Sequence, residues 1–381
     1  MAVQELPLAA AAARGVAGTP APLLHADVAG YALEHGLVTA AQIARGDLRV
    51  RNLSSRNRVY ALESREGSSL LLKQGVGQMG AAMIANEARA YAMLDALGPG
   101  VRRHLPAWRS WDEGRGIVAL GLLSGARSLR TVHGRGQRAP LGPARSLGRA
   151  LGRLHRATMR HGAARPTGWA PAGLQLHRPG VELLREGSAA AVEVVKIIQR
   201  TPGFSEHIED LRRGWCARAF VHVDVKWDNC LMWGSEHRRL ALVDWEAACL
   251  GEPCWDIGSA LGHYLSAWVF SVPVTGRTPP ERFAAIAQRP LSGLQPAIRA
   301  CWESYVGALG LSRSSTPAWL FRTVRFAAVR LALTAFEAAQ ASPQLTAPLV
   351  LHMQLAFNML ERPHEAAVHL LGLPLEGAEP A

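Results

Sequence analysis

The chain has 381 residues and a formal net charge of +12, and its length predicts two lobes or domains of about 100–200 residues each. Hydrophobic residues make up 49% of the sequence and charged residues 19%. This composition is sufficient to bury a sizeable core, and it therefore excludes a globally disordered chain.

The five cysteines are too few and too scattered for a disulfide scaffold, and none has the Cys-x-x-Cys spacing of a zinc site. No apolar run reaches the roughly 18–20 residues needed to span a bilayer. We therefore expect a cytoplasmic protein in a reducing compartment, with no membrane partner.

The positive charge is almost entirely arginine, because the only lysines are Lys73, Lys196 and Lys226. Arginine excess is typical of a genomic base-composition bias or of a nucleic-acid-binding surface. The sequence contains no RNP or zinc-finger motif, so no nucleic-acid partner is expected. In such a chain, each retained lysine points to chemistry that needs a compact point charge instead of a planar guanidinium.

The first third of the chain predicts a small α+β unit. Residues 1–25 are rich in Ala, Pro and Gly and predict a flexible leader. Residues 27–44 predict two short helices that are broken at Gly36, the second capped by Thr39. Further on, the patterns predict strands over 48–53, 58–62, 69–74 and 117–123 and a helix over 81–97. Together they indicate a small α+β N-terminal lobe, residues 26–123, built on an antiparallel sheet.

The remaining residues, 124–381, predict a larger and mostly helical C-terminal lobe. The predicted strands here are short and cover residues 220–225, 229–233 and 240–244. The predicted helices cover residues 147–159, 189–199, 294–309, 317–341 and 345–360. The expected fold class is therefore α+β and bilobal.

Two neighbouring segments, residues 220–231 and 240–246, place polar side chains at the ends of short apolar strands. Asp224 and Asn229 lie in the loop of the first segment, and Asp244 ends the strand of the second. Phosphoryl transfer needs such a set, because one carboxylate orients the attacking hydroxyl and hard oxygen ligands hold magnesium.

The first segment resembles the His-x-Asp-x-x-x-x-Asn catalytic loop of the aminoglycoside phosphotransferase and choline kinase-like family, whose fold is protein-kinase-like. Residues 250–258 are similar to the Gly-(Asp/Glu)-Pro-x-x-Asp stretch of that family. The resemblance covers roughly residues 47–270. The region beyond it resembles the family only in being helical. The alternative interpretation is a pair of β-hairpins with surface carboxylates.

The resemblance implies an ATP-dependent kinase, with ATP or another nucleoside triphosphate and Mg²⁺ as cofactors. It also implies that the N-terminal lobe, residues 26–123, binds the nucleotide and that the C-terminal lobe, residues 124–381, carries out catalysis and binds the acceptor. It implies that Asp224 is the catalytic base and that Lys226 reaches the transferred phosphate. Asn229 and Asp244 would bind magnesium, and Asp256 would brace the loop backbone.

Lys73 and Glu87 provide a separate indication in the N-terminal lobe. Lys73 ends an apolar strand, and Glu87 lies on the same helical stripe as Ile84, Tyr91 and Leu94. Each charge would be costly to bury alone, so we expect the two to pair, as the phosphate-holding lysine and glutamate of kinases do. A snorkelling lysine and a rim glutamate are the alternative.

The nucleotide contacts predicted from the resemblance lie on one turn and one strand. The turn over residues 53–60 resembles the phosphate-covering loop, but with serines where the family often has glycines. The strand over residues 117–123 would pass the adenine, with backbone groups at its end pairing to the edge of the base. The predicted contacts are therefore Ser54, Ser55, Asn57, Gly121, Leu122 and Leu123.

Residues 75–80 spell Gly-x-Gly-x-x-Gly between a strand and a helix, and Asp95 follows at a distance typical of a dinucleotide site. This pattern supports an oxidoreductase as an alternative. A dinucleotide-binding fold requires a parallel strand after the helix, whereas Gly98-Pro99-Gly100 interrupts the chain at that point. We therefore interpret these glycines as a link between strand and helix.

The acceptor is constrained only by charge. Residues 260–381 carry nine arginines, at positions 277, 282, 289, 299, 313, 322, 325, 330 and 362, against few acids. This charge disfavours a polycationic acceptor and favours a neutral or anionic hydroxyl on a small molecule or peptide. A Ser/Thr kinase acting on a precursor peptide in bacterial peptide natural-product maturation is one alternative. A pseudokinase-type binding protein is another, although the complete residue set argues against it.

Overall fold

The computed structural model describes two compact units. Unit 1 is drawn from Met1–Ala126 and Trp233–Ala248, and unit 2 from Arg127–Met232 and Cys249–Ala381. The predicted division into 26–123 and 124–381 differs in one respect, because the chain returns to unit 1 at 233–248 and brings Asp244 with it. The described residues are 21–134, 136–159, 170–181, 185, 187–235, 238–273 and 282–373.

The elements are numbered here in chain order. The strands are β1 (Leu48–Asn52), β2 (Arg58–Ser64), β3 (Leu70–Gln74), β4 (Trp108–Asp112), β5 (Ile117–Gly121), β6 (Arg127–Ser128), β7 (Ala219–Val221), β8 (Cys230–Trp233), β9 (Arg239–Leu242) and β10 (Cys249–Gly251). The helices are α1 (Val28–Glu34), α2 (Ala40–Ala44), α3 (Gly77–Ala96), α4 (Pro99–Arg102), α5 (Leu129–His133), α6 (Leu141–Thr158), α7 (Ala189–Arg200), α8 (Phe204–Arg213), α9 (Pro253–Val269), α10 (Phe283–Ile286), α11 (Leu291–Leu309), α12 (Thr316–Ala339), α13 (Ala347–Glu361) and α14 (Pro363–Glu365).

Unit 1 is built on a five-stranded antiparallel sheet with the order β1-β2-β3-β5-β4. Strand β3 lies between β2 and β5, and Lys73 is paired in register with Val59 and Val118. Alternate residues of β2 and β3, such as Leu62 and Leu72, are fully buried in the core of this unit. The predicted α+β class with an antiparallel sheet is thus confirmed.

The chain preceding β1 packs on this sheet. Thr39 caps α2 through a capping box with Gln42, as the sequence predicted. Leu23 is fully buried, and its N–H donates to the Gln74 side chain at 2.8 Å. Within the predicted flexible leader, Leu23 is thus packed against the sheet, whereas residues 21, 22 and 24 are exposed. The first 20 residues of the leader lie outside the described part of the chain.

The three glycines at the junction of β3 and α3, Gly75 between the two elements and Gly77 and Gly80 in the first turn of the helix, allow a tight connection. A Cβ on Gly75 would lie 2.2 Å from the carbonyl carbon of Gly80, and Gly77 has φ +68°. The strand before them, β3, is antiparallel to both of its neighbours. A dinucleotide fingerprint needs a parallel β-α-β unit, so the oxidoreductase interpretation is wrong.

Unit 2 is mostly helical, and close backbone approach defines its packing. Helix α6 packs along α11, and α12 lies between α9 and α13. A Cβ on Gly148 would lie 2.0 Å from the carbonyl oxygen of Cys301, and one on Gly258 would lie 2.8 Å from that of Thr323. In the described part of the chain, no helix has both the length and the apolar character required to cross a membrane.

The sequence analysis missed several elements, among them β4, α8 and the short helices α4 and α5. The edge strand β4 has the sequence Trp-Arg-Ser-Trp-Asp and pairs only with β5. Helix α8 starts after Gly203 and buries Phe204, Ile208 and Leu211, a helical spacing that the sequence does contain. Strand β5 ends at Gly121, two residues before the predicted end.

We predict that Gly148→Ala destabilises unit 2 strongly, because the added methyl group would overlap the α11 backbone at Cys301. The expected loss in the free energy of unfolding is about 3 kcal/mol, the upper range for overpacking. Gly307→Ala is the matched control on α11, where a Cβ meets nothing within 4 Å. That change should stabilise by up to about 1 kcal/mol through helix propensity. Equal effects of the two in urea unfolding would contradict the packing described.

Candidate active site

In unit 1 the buried ammonium of Lys73 joins two carboxylates. Its Nζ lies 2.6 Å from Glu87 Oε2 and 2.5 Å from Asp244 Oδ1. Lys73 is held by the central strand β3 and Glu87 by the inward face of α3. The predicted pairing of Lys73 with Glu87 is therefore present, and Asp244 joins it.

Burial and charge act against each other in this cluster. Burial raises the pKa of Glu87 to about 7; the nearby Lys73 lowers it, and Asp244 raises it further. Burial alone would lower the pKa of Lys73, but the Glu87 and Asp244 carboxylates outweigh it and raise that pKa above its ordinary value. The lysine therefore remains an ammonium ion.

The turn after β9 presents Asp244 to this cluster. Asp244 has φ +69°, an uncommon conformation for a residue other than glycine. The side-chain amide of Asn86 on α3 donates to the carbonyl oxygens of Glu246 at 3.1 Å and Ala248 at 2.9 Å. These bonds fix the turn against α3, and the structure thereby assigns Asn86 a positioning role that the sequence did not reveal.

Glu246 adds a third carboxylate. Its Oε1 pairs with Arg56, and its Oε2 lies 3.9 Å from Lys73 Nζ with no hydrogen-bond partner in the described residues. Three carboxylates, Glu87, Asp244 and Glu246, thus face two cations. The cluster is net negative with all groups ionised, which suits the binding of an additional cation.

The turn between β1 and β2 holds the three predicted phosphate contacts. The Ser54 hydroxyl accepts from Val59 N–H at 3.0 Å, and the Ser55 N–H donates to the Asn57 carbonyl at 3.2 Å. Asn57 is buried, and its side-chain oxygen faces the start of α3, 3.1 Å from where a Cβ on Gly80 would lie. These bonds close the turn on itself, and its role at a nucleotide stays a prediction.

The predicted adenine contacts lie just after β5. The Gly121 N–H donates to Ala107 O at 2.7 Å and the Leu122 N–H to Ser69 O at 2.9 Å. Both donors are thus used within unit 1. No hydrogen bond from the Leu123 N–H is found among the described residues, and the pairing of these backbone groups with the edge of a base stays a prediction.

In unit 2 the loop from His222 to Asn229 is held by Asp256 at the start of α9. The fully buried Asp256 carboxylate accepts the N–H groups of His222 at 2.7 Å and Val223 at 2.9 Å. It also lies 3.2 Å from the buried His155 ring. Val223 has φ +71°, a strained conformation for a β-branched residue, and these bonds hold it there.

The strained turn presents Asp224 with polar groups on both sides. Lys226 Nζ lies 2.6 Å from Asp224 Oδ2, and the Asn229 amide donates to the same oxygen at 3.1 Å and to the Asp224 carbonyl at 3.0 Å. On the other side Arg330 Nη1 lies 3.9 Å from Asp224 Oδ1. The predicted catalytic and amide residues of unit 2 are therefore neighbours.

The sequence profile of the phosphotransferase enzyme family (APH) matches residues 47–293, more than half of the chain. This chain belongs to that family. The matched span contains every residue that the resemblance assigned to the catalytic loop, the metal and the lysine–glutamate pair.

Solved structures with similar folds are similar in sequence only distantly. An ethanolamine kinase from Plasmodium vivax has a TM-score of 0.52 at 10% identity, over 87% of this chain and 86% of that one. A choline kinase from Cryptosporidium parvum has a TM-score of 0.50 at 10% identity, over 91% and 98%. The choline kinase LicA from Streptococcus pneumoniae has 15% identity over 86% and 99%, with a TM-score of 0.43. The first two confirm the protein-kinase-like fold.

The predicted magnesium ligands suit a cation that also binds substrate. In the described residues no three His, Cys, Asp or Glu side chains are arranged to hold a metal ion by themselves. Mg²⁺ commonly takes only one or two protein oxygens and completes its shell with phosphate and water. In unit 1 the Asp244 carboxylate is such an oxygen donor, and in unit 2 the Asn229 amide nitrogen donates to Asp224, which leaves its oxygen as a donor atom for a metal. The assignment of both residues as magnesium ligands stays a prediction.

Three residues near these groups were missed by the sequence analysis. Glu246 follows Asp244 by two residues, and Arg56 lies in the predicted phosphate loop. Their positions in the sequence do not indicate that Glu246 and Arg56 pair with each other. Arg330 did carry a signal, since it interrupts the apolar run from Phe326 to Leu333. A charged residue on a buried helical stripe indicates a partner or a function.

We predict that Glu87→Gln changes the pH dependence of stability. The folded-state pKa of Glu87, about 7, is above the ordinary value of 4.5, so folding favours the protonated form. The contribution of protonated Glu87 to the stability of the fold is complete below pH 4.5 and is lost as the pH rises through 7. The wild-type free energy of unfolding, minus that of the variant, should therefore fall by about 1–3 kcal/mol between pH 4.5 and 8. Urea unfolding across this range measures it, and a constant difference would contradict the assigned burial effect.

We predict that Asp256→Asn weakens the loop at Val223. One carboxylate oxygen would become an NH₂ group facing a backbone N–H, leaving a buried donor unpaired. The expected loss in unfolding free energy is about 2–3 kcal/mol. Asp228→Asn in the same loop is the control, since its ion pair with Arg130 is exposed and should matter by less than about 1 kcal/mol. Chemical denaturation compares the two, and a loss at Asp256 no larger than at Asp228 would refute the bracing role.

Proposed function

We propose that this protein is an ATP-dependent phosphotransferase that moves the γ-phosphate to a hydroxyl group and uses Mg²⁺. The observation that carries the proposal is the contact of one buried ammonium, Lys73, with both Glu87 and Asp244. A kinase needs this arrangement, because the lysine must be held in place by a glutamate beside the metal-binding aspartate. Its occurrence in a member of a phosphotransferase family supports the assignment.

Each residue would have a distinct role. Bound Mg-ATP would supply the phosphoryl group and divalent charge. Lys73 would bind phosphate oxygens, and Asp244 and Asn229 would be the protein ligands of the metal. Asp224 would accept the hydroxyl proton as the acceptor oxygen bonds to the γ-phosphorus and ADP leaves. Lys226 would provide positive charge near the transferred group.

The acceptor we propose is a hydroxyl on a small molecule or peptide that is not polycationic. Several arginines behind this charge argument are engaged elsewhere, such as Arg322 with Glu252 and Arg325 with Asp210. Arg330 also pairs with a carboxylate, the half-exposed Glu337, but it differs in lying 3.9 Å from Asp224 as well. The argument thus rests on one arginine beside the proposed base, and a precursor-peptide serine or threonine is one form of such an acceptor.

The test separates nucleotide binding from transfer. Wild-type protein should be stabilised by Mg-ATP, by about 2.7 kcal/mol at a hundredfold excess over the dissociation constant. Asp224→Asn should keep this stabilisation and lose about 10²–10⁴ in the rate of ADP formation, including slow transfer to water. Asp228→Asn, with its exposed pair to Arg130, is the matched control and should retain the rate.

The two readouts also separate the alternatives. Stabilisation by ATP without any ADP formation would indicate a pseudokinase-type binding protein. Neither stabilisation nor turnover with ATP or GTP would refute the proposal altogether. Unchanged ADP formation in Asp224→Asn would show that the base is assigned to the wrong residue.

A further inference from the structure

Arg330 is a buried cation in the middle of α12. Its side chain is 4% exposed, and its neighbours Val329 and Leu331 are fully buried. Burying a guanidinium is costly unless it is paired and its donors are satisfied. The burial of Arg330 therefore has to be explained, whereas an arginine on the surface needs no explanation.

The protein itself satisfies Arg330 only in part. Nη2 lies 2.6 Å from Glu337 Oε2 and Nη1 donates to Glu337 Oε1 at 3.3 Å, so two of the five N–H groups are used on this carboxylate. The Glu337 side chain is about half exposed, and water therefore screens this pair. The buried Nε has no hydrogen-bond partner among the residues that the structure describes. Nη1 lies 3.9 Å from Asp224 Oδ1, beyond hydrogen-bond distance. The guanidinium thus retains donor capacity beside the proposed base.

The surroundings of Asp224 in unit 2 are also rich in positive charge. Lys226 contacts the other carboxylate oxygen at 2.6 Å. Arg289 is buried, has no acidic partner in the described part of the chain, and lies over the ring of Trp227. The loop that carries Asp224 therefore borders three cations, Lys226, Arg330 and Arg289, and these outnumber the carboxylates of Asp224 and the half-exposed Glu337. An additional negative group would be favourable here.

His263 on the neighbouring helix α9 is affected by the same positive charges. Burial lowers the pKa of His263 well below its ordinary value, and the charges of Arg330, Arg130 and Lys226 lower it further. The His263 side chain is thus kept neutral, and it does not compete with Arg330 as a cation for an incoming anion.

Arg330 is held in place before any ligand binds. Its Cβ and Cγ lie 3.7 Å from where a Cβ on Gly262 would be, so its stem packs closely against the glycine surface of α9. A guanidinium fixed by helix packing loses little freedom on binding, which favours affinity and orientation.

We propose that Arg330 determines acceptor specificity by binding a carboxylate or phosphate group that the acceptor carries beside its reactive hydroxyl. This inference rests on the proposed phosphotransferase function and narrows its acceptor to anionic hydroxyl compounds. A planar guanidinium suits both groups, because it can donate two parallel hydrogen bonds to their oxygens. Binding there places the neighbouring hydroxyl next to the Asp224 carboxylate.

The first experiment compares four compounds that share one carbon skeleton. ADP formation with Mg-ATP is measured with glycerate, glycerol 3-phosphate, glycerol and 3-amino-1,2-propanediol. We expect at least a tenfold higher kcat/KM for one of the two anions than for glycerol, and the lowest value for the amine. The carboxylate and phosphate arms identify which anion is preferred. Where turnover is too slow, calorimetric dissociation constants in the presence of Mg and a non-hydrolysable ATP analogue rank the same compounds.

The second experiment changes the charge at Arg330. Arg330→Gln should reduce kcat/KM or affinity for the preferred anion about 10- to 100-fold, mainly through KM, and leave glycerol unchanged. Arg325→Gln on the same helix is the control, since Arg325 pairs with the exposed Asp210, and should change neither. Glu337→Gln removes the competing carboxylate at the surface and should improve binding of the anion by about two- to tenfold.

The outcomes are distinguishable from failure of the proposed function. Stabilisation by Mg-ATP and slow transfer to water test the phosphotransferase in every variant and also show that Arg330→Gln is folded. If these persist but the anions are no better than glycerol or the amine, the inference is wrong. An equal fall in kcat for all four compounds in Arg330→Gln would instead show that Arg330 only positions Asp224. If Arg330→Gln does not fold, Glu337→Gln decides, and no gain for the anion overturns the proposal.

Discussion

The buried charge of Lys73 is the constraint on which unit 1 depends. An ammonium ion on the central strand of a sheet is tolerable only with carboxylates in direct contact, and Glu87 and Asp244 provide them. The sheet, helix α3 and the turn after β9 must therefore meet at one point. This requirement explains why residues 233–248 belong to unit 1 although they are distant in sequence.

Unit 2 depends on a buried negative charge, the Asp256 carboxylate, which accepts hydrogen bonds from backbone N–H groups. Asp256 accepts the N–H groups of His222 and Val223, and the Trp255 indole donates to the Val223 carbonyl at 2.7 Å. These bonds offset the strain at Val223 and direct Asp224 toward Lys226 and Arg330. The loop is rigid because it is hydrogen-bonded to a helix, not because of its own sequence.

Both clusters contain more charge of one sign than they neutralise. Unit 1 has three carboxylates around Lys73 and Arg56, which suits a metal cation. Unit 2 has Lys226 and Arg330 at Asp224 and Arg289 over Trp227 of the same loop, which suits an anion. A phosphotransferase that joins a metal-bound nucleotide to an anionic acceptor requires both kinds of imbalance, and the two proposals are consistent in this respect.

The sequence by itself determined the strands and helices with strong periodicity, the family resemblance and the pairing of Lys73 with Glu87, because each follows from local spacing and from the cost of burying a charge. It also contained the pattern of α8, which was overlooked. Only the tertiary structure decided the contacts of Glu246 with Arg56 and of Arg330 with Asp224, since these partners are 190 and 106 positions apart and no local pattern relates them. It likewise decided that the N–H groups of Gly121 and Leu122 are used within the sheet, because hydrogen bonding to Ala107 and Ser69 depends on how strands meet.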